Sequence, residues 1–280
     1  MKYQDVAGIV MDMDGVLWRG DDPLPGLVEM FAWLHESDIP YVLATNNSSK
    51  TPANYVEKLH TMGVEGVPEA QIVTSSTATA AYLQANYPAS TPVHAFGMDG
   101  MREILDDAGF DISGDSPPEV VVAGIKFDLS YDDLKQAALH IRDGAAFVGT
   151  NPDKTFPSPE GQVPGAGSLI AALEAATDQS ATIIGKPAEP MFKNALELLG
   201  TEAANTLMVG DRLNTDILGG QQAGMKTALV FTGVTSSDAL SQADNDLWPD
   251  VAYEGLPELI KAWAGFEWYN AKQKAKRGRA

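Results

Sequence analysis

Cysteine is absent from the 280 residues. That excludes disulfide staples, a thiol nucleophile and thiolate metal sites. A cysteine-free chain fits a reducing compartment, and a cytoplasmic location is the expectation. No apolar run approaches the roughly 18 residues needed to cross a bilayer. The first residues, Met1 to Asp5, lead into a short apolar strand and not into the hydrophobic region of a signal peptide. Basic residues are scarce: 19 Lys and Arg stand against 38 Asp and Glu, a formal charge of −19. Cations that neutralise phosphates supply most non-specific nucleic-acid affinity, so neither nucleic acid nor an anionic membrane is an expected partner. A site that handles phosphate in such a chain needs local positive charge from a metal, a lysine or helix N-termini. The four histidines, His35, His60, His94 and His140, are scattered over predicted helices and strands and are assigned no chemistry. No internal repeat or low-complexity segment is present.

What remains is an ordinary globular composition, 44% hydrophobic and 20% charged. A chain of this length buries roughly 75% of its unfolded surface and needs no staples. It suits one large domain or two smaller ones. Residues Val6 to Met11 form a near-continuous apolar run that stops at Asp12-Met13-Asp14-Gly15. A strand buried on both faces reads this way, and such strands belong to parallel sheets. A helix over 27–34, a strand over 41–44, a helix over 53–62, a strand over 72–74 and a helix over 77–87 follow. This βαβαβα order predicts a doubly wound α/β sheet. The middle of the chain reads as a second α/β unit. It has strands at 93–97, 120–122 and 145–148, helices at 100–108 and 131–142, and a Pro/Gly-rich loop from Thr150 to Gly167 before a helix over 168–176. Strands at 182–184, 206–209 and 227–231 and a helix over 190–199 complete the pattern. The basic tail Lys272–Arg279 reads as a frayed, solvated helix end.

Ligands of doubly wound sheets sit beyond the carboxyl ends of the strands. Four polar clusters fall at such predicted ends: Asp12-Met13-Asp14-Gly15, Thr45-Asn46, Gly185-Lys186-Pro187 and Gly210-Asp211 through Asp216. Taken alone, Asp12 and Asp14 are as well explained by a turn with a capping carboxylate. Together the four clusters combine carboxylates, a cation and hydroxyl donors, the groups that phosphoryl transfer needs.

In order and in residue type, these four clusters resemble the motifs of the haloacid dehalogenase (HAD) superfamily. The long insertion between the second and third motifs resembles the cap of its NagD-like, para-nitrophenylphosphatase-like branch. The resemblance covers nearly the whole chain. It implies a Rossmann-like core over 1–80 and 182–280, with an inserted α/β cap over 81–181 that covers the site and selects the substrate. It implies a Mg²⁺-dependent phosphatase of small phosphorylated metabolites: sugar phosphates, glycerol phosphate, phosphoglycolate or nucleoside monophosphates. Asp12 becomes the nucleophile that forms an aspartyl-phosphate, and Asp14 protonates the leaving oxygen and then activates water. Asp14 also argues against true dehalogenases, which lack this second Asp. Thr45 and Asn46 bind the phosphoryl group, and Lys186 balances the charge of Asp12 and the phosphate. Asp211 holds the metal with Asp12 and the backbone carbonyl of Asp14. Asp216 orients Lys186 or a metal-bound water in preference to binding the ion directly.

Within the cap, Thr150-Asn151-Pro152-Asp153 resembles the family's substrate-facing loop, which points to Asn151 and Asp153. Ordinary Asx-Pro turn chemistry explains those two equally well. Lys126, at the end of another cap strand, fits a solvated surface position better than an anion-binding one. Two other readings use the same residues. A phosphomutase or phosphotransferase would pass the phosphoryl group from Asp12 to a sugar, but such enzymes usually carry a small helical cap. A non-catalytic phosphometabolite-binding protein would be expected to have lost Asp12, Asp14 or Lys186. The resemblance allows a homodimer through the cap as well as a monomer.

Overall fold

The computed structural model describes residues 6–158, 160–265 and 268. The basic tail Lys272–Arg279 lies outside the described residues. The chain opens with β1 (Gly8–Met11), a small flap of β2 (Trp18–Arg19) and β3 (Asp22–Pro23), α1 (Leu27–Glu36), β4 (Tyr41–Thr45), α2 (Pro52–Thr61) and β5 (Ile72–Thr74). Next come α3 (Ser75–Asn86), β6 (Val93–Phe96), α4 (Asp99–Asp107), β7 (Val120–Ala123), α5 (Tyr131–Arg142) and β8 (Ala146–Gly149). These lead to β9 (Thr155–Ser158), β10 (Gly161–Pro164), α6 (Ala166–Thr177), β11 (Thr182–Ile183) and α7 (Glu189–Leu199). The last part holds β12 (Thr206–Gly210), a π-helical turn (Leu213–Ile217) running into α8 (Leu218–Gln222), and β13 (Lys226–Val230). It ends with α9 (Ser237–Ser241), β14 (Val251–Tyr253) and α10 (Leu256–Ala264). This is the α/β fold expected from the apolar pattern. Among the described residues no helix is long and apolar enough to cross a membrane.

The contacts divide the chain into two units. The first takes in residues up to 44, 56–72 and those from 195 onward. Its sheet has the order β14-β13-β12-β1-β4, with β5 at the far edge. The pairings of β1 with β4 and β12, of β12 with β13 and of β13 with β14 are all parallel. Every residue of β1, β4 and β12 is buried, which is why these strands are unbroken apolar runs and not alternating ones. The chain leaves β1 toward β4 on one side and returns to β12 on the other, so the winding reverses beside β1. Met11 lies level with Val209, and the residues that follow both strands emerge at one edge. Behind the sheet α1 packs on α10, with the Trp33 and Trp263 rings edge to face at 5.9 Å. Tyr41, against Phe31 at 5.4 Å, is buried enough that its hydroxyl pKa is raised to about 12.

The second unit takes in residues 45–55 and 73–194. Its four-stranded sheet runs β11-β8-β7-β6, all parallel. Val121, Ala123 and Phe147 on the strands pack with Ala137 and Ile141 of α5 and Ile170 and Leu173 of α6. Capping boxes start α5 (Ser130 with Asp133) and α3 (Thr74 with Thr77), each satisfying helix N–H groups that have no partner within the helix.

Two features depart from the sequence reading. The Pro/Gly-rich loop contains an antiparallel hairpin, β9 with β10, in which Pro157 faces Gln162 and Phe156 faces Val163. A two-stranded ribbon is all edge, so it tolerates prolines that a central strand would not. The strand before Lys186 pairs with β8 and so belongs to the second sheet. Local sequence marks a strand but does not choose its neighbour.

His94 on β6 meets His140 on α5 with ring centroids 4.9 Å apart. Burial, the neighbouring His140 and Arg102 lower the His94 pKa from 6.5 to about 4, against a smaller opposing pull from Asp133. The folded state therefore binds fewer protons at His94 than the unfolded chain does. Its contribution to stability is present above pH 6.5 and is lost as the pH falls toward 4. Thermal unfolding of wild type and His94→Gln across this window is expected to show a steeper acid loss in the wild type.

Candidate active site

Asp12 follows β1 directly, and its N–H donates to Val209 O at 2.8 Å, which extends the β1–β12 pairing by one residue. Asp211 follows β12, and Asp216 sits in the π-helical turn just beyond it. All three carboxylates are buried, at 7%, 1% and 1% exposure. Each offers an oxygen within 4.8 Å of the others. Like charges this close and this buried repel unless a cation or a proton compensates. An all-carboxylate donor set is hard and oxygen-only, which fits a divalent cation such as Mg²⁺ or Ca²⁺ and not a thiolate- or imidazole-seeking metal.

The three acids differ in their protein partners. Asp216 Oδ2 accepts from the backbone N–H groups of Asp211 and Arg212 at 3.2 and 3.1 Å, closing the turn that carries Asp211. Asp211 Oδ2 accepts from Val234 N at 2.6 Å, and its carbonyl accepts from Thr235 N at 3.1 Å. The Asp14 carboxylate stands outside this trio: the side chain is exposed, and Oδ1 accepts from Trp18 Nε1 at 2.9 Å. A carboxylate on an aromatic hinge at the open side of the strand end can reach a group that enters from solvent.

The sequence reading overlooked the loop after β13, which supports this site. Besides the two bonds to Asp211, Thr232 Oγ1 donates to the carbonyl of Gly15 at 2.7 Å. Gly233 lies so close to Asp211 that a Cβ there would overlap the carboxylate. Gly15 has φ +88°, and a Cβ on it would stand 2.6 Å from Asp211 Oδ2. Two glycines thus make room for one carboxylate. Phe231-Thr232-Gly233 at a strand end is the only signal the sequence carries for this.

The second unit gathers the other expected residues. Thr45 ends β4, and its Oγ1 accepts from Asn47 N at 3.1 Å. Asn46 is buried and bonds to both main-chain groups of Lys186, which is also buried, and to Asp153. Asn151 Nδ2 donates to Asn46 O at 2.6 Å, and Asn151 Oδ1 accepts from Asp153 N at 3.1 Å. Thr45, Asn46, Asn151, Asp153 and Lys186 therefore converge, although up to 140 residues of sequence separate them. Lys126 is not the solvated surface lysine expected: its side chain is 16% exposed, and it pairs with Asp128 at 3.0 Å and Asp133 at 3.8 Å.

Comparison with known proteins gives these positions a lineage. A family profile described as haloacid dehalogenase-like hydrolase matches residues 9–111, and a second HAD-hydrolase-like profile matches 183–259. The acid sugar phosphatase of Staphylococcus epidermidis is 35% identical over 251 residues, which cover 90% of this chain and 95% of that protein. The p-nitrophenyl phosphatase of Archaeoglobus fulgidus superposes with a TM-score of 0.87 at 31% identity, covering 92% of this chain and 99% of its own. NagD from Escherichia coli K-12 superposes with a TM-score of 0.83 at 30% identity, covering 91% and 98%. The chain therefore belongs to the haloacid dehalogenase-like hydrolases, in the phosphatase branch that contains NagD and the nitrophenylphosphatases.

Proposed function

We propose that this protein is a Mg²⁺-dependent phosphatase that hydrolyses small phosphate monoesters through an aspartyl-phosphate on Asp12. The observation that carries the reading is the buried trio of Asp12, Asp211 and Asp216, whose oxygens lie within 4.8 Å of one another. Similarity to phosphatases over nine-tenths of the chain supports the reaction class.

In this reading Asp12 attacks the phosphorus in line with the leaving oxygen, and the P–O bond to the alcohol breaks as the Asp12–phosphorus bond forms. Asp14, hinged on Trp18, gives a proton to the departing alkoxide. It then takes one from the water that attacks the aspartyl-phosphate, which frees inorganic phosphate and regenerates Asp12. Asp12, Asp211 and the Asp14 carbonyl would hold Mg²⁺, while Asp216 keeps the Asp211 backbone in place. When bound, the ion supplies positive charge that lets an anionic carboxylate approach an anionic phosphate. Thr45 Oγ and the Asn46 backbone N–H receive phosphoryl oxygens, and Lys186 offsets the charge of the phosphate and Asp12.

The inserted cap is proposed to run over 81–181, and β11, just beyond that boundary, pairs with β8 of the second sheet. The loop at Asn151 and Asp153 is its substrate-facing part, where the Asp153 carboxylate would accept from a substrate hydroxyl. Sugar phosphates, glycerol phosphate, phosphoglycolate and nucleoside monophosphates are the substrates to screen. A cytoplasmic setting belongs to the same proposal.

Purified protein is expected to release nitrophenol from para-nitrophenyl phosphate with Mg²⁺ and to stop with EDTA. Asp12→Asn is expected to lower kcat by at least roughly 10³-fold, as loss of a nucleophile does in other covalent enzymes. Activity that survives in Asp12→Asn would sink the nucleophile assignment. Gly233→Ala forces the Asp211 carboxylate to move. It is expected to raise the Mg²⁺ concentration for half-maximal rate by roughly 10- to 100-fold, the usual cost of disturbing a ligand's support. An unchanged Mg²⁺ titration would remove Asp211 from the metal site.

A further inference from the structure

Asn46 carries one carboxamide, which has one oxygen acceptor and two N–H donors. Oδ1 accepts from the Lys186 backbone N–H at 2.7 Å. Nδ2 donates to the Lys186 carbonyl at 2.9 Å and to Asp153 Oδ2 at 3.1 Å. The reverse amide orientation would set the nitrogen against an N–H and the oxygen against a carbonyl and a carboxylate, so the network itself assigns the oxygen and the nitrogen. Both donors are committed, and the side chain has no N–H left for a phosphoryl oxygen.

The clamp is itself anchored. The Asn46 carbonyl accepts from Ser75 Oγ at 2.7 Å and from Asn151 Nδ2 at 2.6 Å. Gly185 N donates to Thr150 O at 2.8 Å, which ties the segment before Lys186 to the loop that holds Asn151 and Asp153. All of these groups lie in one unit. A flexible four-carbon stem places its ammonium only as well as its root is placed. Two hydrogen bonds from one planar amide to the N–H and C=O of a single residue fix the direction in which its side chain leaves the backbone.

We propose that Asn46 is a positioning residue for Lys186: its carboxamide grips the Lys186 main chain and, through Asp153, couples the lysine to the loop at 150–153. The proposal rests on the reading of Lys186 as the cation of the phosphatase site, and it reassigns the Asn46 side chain from phosphate contact to lysine placement. Asn151 is then a brace of this network, holding the Asn46 carbonyl and the Asp153 N–H.

A double-mutant cycle tests it, with kcat, KM and inhibition by inorganic phosphate measured for wild type, Asn46→Ala, Lys186→Ala and the double variant. Asn46→Ala is expected to lower kcat by roughly 10- to 100-fold, the cost of a misplaced charged group. In the Lys186→Ala background the further loss is expected to shrink to less than about twofold, because residues that act through one another are not additive. Losses that multiply across the cycle, or a twofold or greater weakening of phosphate inhibition on removing Asn46 from Lys186→Ala, would overturn the proposal and make Asn46 an independent ligand. A purely structural role would lower the thermal midpoint without this coupling. A crystal structure of Asn46→Ala reads the placement directly, whether or not the wild type turns over. A displaced Lys186 backbone and ammonium support the proposal, and an unmoved Lys186 refutes it. Failure of the wild type to hydrolyse any phosphate monoester would count against the phosphatase reading alone.

Discussion

The parallel pairing of β1 with β12 is the constraint on which the acid site depends. With Met11 level with Val209, the residues that follow each strand leave the sheet side by side. The Asp12 N–H continues the ladder to Val209 O, so Asp12 is positioned by the sheet itself. Asp211 is placed by the same register from the other strand. A slip of β1 by one residue would turn Asp12 to the opposite face and separate it from Asp211. The winding of the sheet reverses beside β1, and in open α/β sheets the crevice for ligands forms at such a reversal.

A register that brings carboxylates together also brings repulsion, and the surrounding structure is arranged around that cost. The Asp216 carboxylate accepts two backbone N–H groups, and Asp211 accepts a third from Val234. A hard divalent cation would suit the oxygens that this register gathers. Glycine at positions 15 and 233 leaves the space in which Asp211 stands. The loop after β13 thus belongs to the site, although it contributes no acid of its own.

The cluster around Lys186 works by different physics. A buried cation on a flexible stem gains little from proximity alone and a good deal from a rigid root. Asn46, whose backbone carbonyl is held by Ser75 and Asn151, supplies that rigidity through its side-chain amide, which bonds both main-chain groups of Lys186.

Much of this was legible from sequence. Buried parallel strands betray themselves as unbroken apolar runs, and Asp12, Thr45, Lys186 and Asp211 stand just where such runs stop. The α/β class and the residue types able to handle phosphate follow from local pattern, because strand burial and chain reversal are written in adjacent residues. Tertiary structure decided what depends on distant pairing. It placed the strand before Lys186 in the second sheet, folded the Pro/Gly-rich loop into a hairpin, and added the Thr232–Thr235 loop to the acid site. It also decided how polar groups are spent: the Asn46 amide on Lys186 across 140 residues, and the Asp216 carboxylate on the backbone of Asp211 and Arg212. A side chain's residue type states what it can donate or accept, but which partner receives it is set only when the sheets bring distant segments within hydrogen-bonding distance.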